Sequence, residues 1–117
     1  MIPALKARFE ELRLIDAADI EANWTAITPE FAHPVRMIKI VNLTDADLVF
    51  TTDTQKVFGE ILVPAQTSDV YDISTNQFTT NISGILALPV ATMLYVKQVE
   101  VPLLKYVAVS VMYGSEL

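Results

Sequence analysis

The sequence predicts an all-β chain, an antiparallel β-sandwich (jelly-roll-like or Ig-like) of seven or eight short strands with an N-terminal arm or short helix. Three observations point there. Apolar residues recur at every second position in several short runs, the period of a half-buried strand. Pro, Gly and Asn/Asp clusters separate these runs at short intervals. No helix-length segment stands between them, which argues against an α/β layering. The 117 residues make one domain, divided here into an arm over residues 1–12 and a sandwich over 13–117.

Residues 4–16, ALKARFEELRLID, read two ways. Leu5, Phe9 and Leu12 lie near helical spacing with charges between them, yet Arg13 to Asp16 also reads as a short strand. A helix from Leu5 to Leu12 is too short to persist without packing, so an arm docked on a neighbour is the expected use. Asp16 to Asp19 is a bend. Asn23 to Thr28 is a strand with Trp24 near the core, closed by Pro29, and residues 30–34 form a connector.

The centre of the fold is the stretch from Val35 to Thr52. Arg36, Ile38, Ile40 and Asn42 alternate against Val35, Met37, Lys39, Val41 and Leu43, so both faces carry apolar groups. Asn-Leu-Thr-Asp-Ala-Asp supplies a turn, and the chain returns through Leu48 to Thr52. Further strands are expected at Val57–Phe58 with 61–63, at Ser68 to Ile73, at Met93 to Val99 and at Lys105 to Tyr113. A polar connector over 74–83 and an apolar run at 84–88 lie between. In the last strand Val107, Val109, Val111 and Tyr113 share one parity.

Charge bounds the function. The formal net charge is -6, which removes the basic footprint of a nucleic-acid binder. There is no cysteine, hence no disulfide or thiolate metal site. The charged residues of the first 14 positions argue against a signal-peptide core, and no apolar run nears the roughly 20 residues of a membrane span. Residues 1–22 carry eight charged side chains and residues 73–96 none. A neutral stretch of that length is expected to be divided between core and subunit interface.

Candidate chemistry is thin. His33 is the single histidine, without the companion ligands a zinc site needs and without a triad to serve, so Ser68 and Ser110 have no base. Asp45 and Asp47 form a D-x-D turn without further calcium ligands, and turn capping is the expected role. Asp69 and Asp72 fall on opposite faces of a strand and cannot address one glycosidic bond. Asn23, Asn42 and Asn81 match the glycosylation pattern but have no secretory context. Trp24, Phe50, Tyr71, Tyr95, Tyr106 and Tyr113 are expected in packing rather than base stacking. With only Gly59, Gly84 and Gly114, no phosphate-binding glycine loop exists. No catalytic, cofactor-binding or metal residue is assigned, and no enzyme or cofactor is expected.

One resemblance rests on the order of several motifs: Arg13 to Ala18, His33-Pro34-Val35-Arg36, the run Ile38 to Asp47, Val63-Pro64-Ala65, Val70 to Asn76, Leu94 to Gln98, and Val107 to Gly114. Residues 12–114 in this order resemble a family of small β-rich structural proteins of tailed bacteriophages, found in virions near the head and neck. Where similar sequences turn through a glycine after the second strand, this chain has Thr51-Thr52-Asp53-Thr54. The resemblance implies a non-enzymatic virion component, assembled in the host cytoplasm, that acts by homo-oligomerisation and by docking on other virion proteins (capsid, portal, neck or fibre). It implies no membrane and no specific nucleic-acid partner. The alternative from the residues alone is a carbohydrate- or ligand-binding β-sandwich module.

Overall fold

The computed structural model describes residues 6–55, 59–72 and 90–115. Among the described residues nine strands follow in order: β1 (Lys6–Phe9), β2 (Arg13–Asp16), β3 (Thr25–Ile27), β4 (Met37–Asn42), β5 (Leu48–Thr51), β6 (Ile61–Val63), β7 (Thr67–Asp72), β8 (Leu94–Gln98) and β9 (Tyr106–Ser115). A single 3-10 turn, Ala17–Asp19, follows β2 where a bend was expected. The expected runs at 57–58, 74–83 and 84–88 lie outside the described residues.

Two antiparallel sheets form. One runs β1-β9-β4-β7, with β2 on the same side of β9 as β1, and the other runs β3-β8-β5-β6. The pairing has a simple rule: β5 with β6, β4 with β7, β3 with β8 and β2 with β9. That is one long hairpin whose tip is the β5–β6 connection. Wound on itself, the ribbon gains the contacts β4–β9 and β5–β8, which complete the sheets. This is the jelly roll, so of the two sandwich topologies left open the Ig-like one is not adopted.

Alternation puts the right side chains between the sheets. Val107, Val109 and Val111 of β9 face Asn42, Ile40 and Ile38 of β4 in register, and all six are buried. Leu48 and Phe50 of β5 and Leu94 and Val96 of β8 close the core from the other sheet. Phe31, assigned to a connector, and Val35, expected at the start of the central strand, also belong to it. Trp24 is only half-buried, with the Lys97 ammonium 4.6 Å from its ring centroid.

The end of the core near residues 42–47 is sealed by a buried amide. Asn42 Nδ2 donates to the carbonyls of Ala46, Val63 and Pro64, while its Oδ1 accepts from the Thr44 amide and hydroxyl. The Asn-Leu-Thr-Asp turn is therefore tied to the far end of β6.

The N-terminal segment corrects the helical expectation. Lys6–Phe9 is extended and paired with β9 of its own chain. The register explains the misleading spacing. Phe9 lies opposite Met112 and Arg13 opposite Val109, so three residues of the edge (10–12) span two of β9 (110–111). This is a β-bulge: one extra residue shifts the side-chain phase. Phe9 and Leu12, three apart, thereby reach the same face, as they would on a helix.

The bulge aims two charged residues inward. Arg13 and Glu10 side chains are almost fully buried, and Arg13 Nη2 donates to Glu10 Oε1 at 2.8 Å. The same guanidinium donates to the carbonyls of Pro29, Glu30 and Glu11, and lies over the Phe31 ring. Glu10 also accepts from the Ala32 amide and lies 2.8 Å from His33 Nδ1, whose ring stacks on Tyr113. Burial alone pushes the Glu10 carboxyl up, but hydrogen bonds from Arg13, His33 and the Ala32 amide outweigh it, holding the carboxyl below its ordinary 4.5.

Removing one partner of a buried ion pair leaves the other charge uncompensated, so Arg13→Met is expected to lower unfolding free energy by about 3–5 kcal/mol in urea titrations. A depressed carboxyl contributes stability that is complete above its unfolded value and is lost as pH falls through its folded value. Glu10→Gln is therefore expected to flatten the acid limb of stability below pH 4.5, measured by thermal unfolding across pH.

Candidate functional site

The outward face of the β1/β2-β9-β4-β7 sheet is the outstanding surface. Its residues follow from the register: Phe9, Leu12 and Leu14 on the edge, then Tyr106, Ala108, Ser110 and Met112 on β9. Met37, Lys39 and Val41 follow on β4, and Ser68, Val70 and Asp72 on β7. Phe9 is 71% exposed, Leu14 57% and Val70 55%. Lys39 is the one charge in the middle strands of this face. Four strands about 4.8 Å apart and seven residues at about 3.4 Å each give a plane of roughly 400 Å². That is as large as the apolar patches monomeric proteins expose, and such patches are commonly functional.

A second apolar surface lies at the end of the sandwich that carries the 43–47 turn. The loop between β8 and β9 presents Val99, Val101, Leu103 and Leu104, all more than half exposed, with Leu103 at 74%. It is held firmly. Asp45 Oδ1 accepts from the amides of Leu103 (2.8 Å) and Leu104 (3.2 Å), the Val99 amide donates to the Asp47 carbonyl, and Pro102 is buried. The Leu103 amide, foremost, holds the Asp45 carboxyl below its ordinary range against the opposing effect of desolvation, and the Leu104 amide adds a smaller lowering.

At the opposite end the sheets part into a cleft of about 280 Å³. Its floor is Ile38, Ile40, Phe50 and Leu94, and its rim includes Thr52, Glu60 and Tyr71. The Tyr71 hydroxyl donates to Asp69 at 3.0 Å, and burial followed by the adjacent carboxylate pushes its pKa up to about 12. The phenol therefore stays protonated at neutral pH.

The polar candidates are engaged in holding the fold. His33 serves Glu10 and Tyr113. Asp45 and Asp47 do not cap their own turn; Asp45 holds the β8–β9 loop and Asp47 accepts from the Ala65 amide, while Asn42 and Thr44 bind the turn itself. Asp69 pairs across from buried Ile40 and Asp72 across from outward Met37, so the two acids point to opposite faces as alternation requires. Ser68 and Ser110 face outward beside Val41 and Lys39. Without its glycine, the turn after β5 is shaped by side chains: the Thr51 hydroxyl donates to Gly59 and Asp53 carbonyls, and Asp53 Oδ1 accepts from the Gln55 amide. Of the six aromatics singled out, Phe50 and Tyr71 line the cleft. Among the described residues no group of His, Cys, Asp and Glu could hold a metal ion. Most of the neutral stretch 73–96, together with Asn81 and Gly84, lies outside the described residues.

Sequence reasoning missed the β8–β9 loop. Its signal was Val-Glu-Val-Pro-Leu-Leu, where Pro102 reads as a mere break while Val101, Leu103 and Leu104 stand in a segment with no strand to bury them. No protein-family model matches the chain, and comparisons with curated proteins and with solved structures found no match.

Asp45→Ala removes the acceptor of two loop amides. Exchange of the Leu103 and Leu104 amides is expected to quicken by about tenfold or more, with core amides of β9 unchanged, in native-state hydrogen exchange.

Proposed function

We propose that this chain is a non-enzymatic structural protein that works by association, and that its setting is the virion of a tailed bacteriophage, at the head, neck or capsid surface. The observation that carries the reading is the outward apolar sheet face. Leaving Phe9, Leu12, Leu14 and Val70 in water is unfavourable by about 25 cal/mol per Å² of apolar area, and burial against protein recovers it. A substrate site of the usual kind is concave with a few convergent polar groups, whereas this face is a broad sheet surface with Lys39 as its single central charge.

The virion setting draws on the motif order from Arg13 to Gly114 and on the jelly-roll topology, an architecture frequent in viral capsid proteins and also in lectins. Topology alone does not choose between these uses. The apolar face favours the first, because edge strands and apolar areas of this kind are satisfied by neighbouring subunits. The partners are copies of this chain and other virion proteins, the place of assembly is the host cytoplasm, and no cofactor enters.

The purified chain is expected to have a solution mass that is a multiple of 13.0 kDa at tens of micromolar. Leu14→Glu with Val70→Glu, at outward positions, should lower that mass while leaving the far-UV circular dichroism intact. A wild-type monomer that is also absent from labelled virions would overturn the reading.

A further inference from the structure

We propose that copies of this chain join head to tail, the β8–β9 loop of one copy seated in the cleft between the sheets of the next. The inference rests on the assembly reading above and goes beyond it by naming a second contact, separate from the outward sheet face.

Complementarity of two surfaces at opposite ends of the sandwich carries the argument. The loop is a convex apolar knob whose tip, Leu103 and Leu104, is exposed yet held by two hydrogen bonds to Asp45. A knob held in this way loses little conformational entropy on docking. The cleft is concave, with the apolar floor already described. At about 280 Å³ it lies at the small end of ligand pockets, suited to one or two aliphatic side chains rather than to a larger ligand.

Charge agrees with this pairing. Lys105 follows the leucines and is exposed, and Glu60 stands exposed on the cleft rim. Seating the leucines brings the ammonium of one copy towards the carboxylate of the next.

Direction follows from the strands. The cleft is built at Ile38, Thr52, Glu60, Tyr71 and Leu94, whereas the loop lies beyond the 43–47 turn. Roughly 15–20 Å of strand separates them, so a chain cannot seat its own loop. Each copy offers a knob at one end and a socket at the other. Such a heterologous contact closes into a ring when the rotation between neighbours allows and otherwise extends as a filament.

The chain has no cysteine, which makes the test clean. Leu103→Cys and Thr52→Cys are prepared as separate full-length proteins, mixed, and oxidised under mild conditions. Disulfide formation needs Cα atoms within about 7 Å, so it reports this contact and no other. A mixed dimer is expected, forming at least about tenfold faster than one between Leu103→Cys and Ala18→Cys, an exposed position at the loop end and away from the cleft. Lys105→Glu and Glu60→Lys, introduced one at a time, should slow it, and the two together should restore it.

Assemblies without the mixed disulfide, or with only loop-to-loop dimers of Leu103→Cys, overturn the head-to-tail contact and leave the assembly reading standing. A chain that is monomeric, forms no mixed dimer and is absent from virions overturns both.

Discussion

The buried guanidinium of Arg13 is the constraint on which this sandwich depends. A charge taken out of water is unfavourable by several kcal/mol unless its donors are met, and here Glu10 and three backbone carbonyls meet them. Two of the carbonyls, of Pro29 and Glu30, belong to the connector after β3. One side chain on an edge strand therefore fixes both the bulge at residues 10–12 and the path by which the chain crosses between sheets. Phe31 is held under the guanidinium and delivered to the core by the same arrangement. Bulge, connector and core end form one unit, and none of the three has its geometry without the others.

What could be read in the residues, and what could not, divides along physical lines. Period-two alternation identified β4 and β9 and grouped Ile38 with Ile40 and Val107 with Val109 and Val111, because a strand pairs sequence parity with space directly; it did not say which parity faces the core, since both carry apolar residues. It failed at the N-terminal edge, where the bulge breaks that correspondence: Phe9 and Leu12 share a face across an odd interval, and the interval reads as a helix. Burial of Arg13 was invisible because its compensation comes from carbonyls, which carry no sequence signature. Phe31 was assigned to a connector because a single aromatic between polar and Pro residues has no period at all. Strand order was not accessible either, since the ribbon rule relates segments far apart in the chain.

The polar residues that looked like possible chemistry were absorbed by architecture. Asn42, Thr44, Asp45 and Asp47 sit within six positions, yet each answers a different backbone segment: its own turn, the end of β6, the β6–β7 connection and the β8–β9 loop. This division gives the two acids of the turn separate backbone partners and ties down the exposed loop. The molecule thus commits several polar side chains to internal bonding, while Phe9, Leu103 and Leu104 stand exposed beside charges such as Glu11, Glu100 and Lys105.

A ribbon wound this way also carries an order of assembly. Its tip pair, Phe50 with Ile61, is separated by 11 positions (61 − 50), whereas Arg13 with Val109 is separated by 96 (109 − 13). Closing each successive rung confines a longer span of chain, and the entropy of closure rises with that span. High contact order of this kind makes a slow folder, with the hairpin tip favoured as the first contact and the rungs of β9 with β2 and β1 as the last. The charge is desolvated only when its carbonyl acceptors are already in place, so the electrostatic lock closes on a nearly finished barrel of strands.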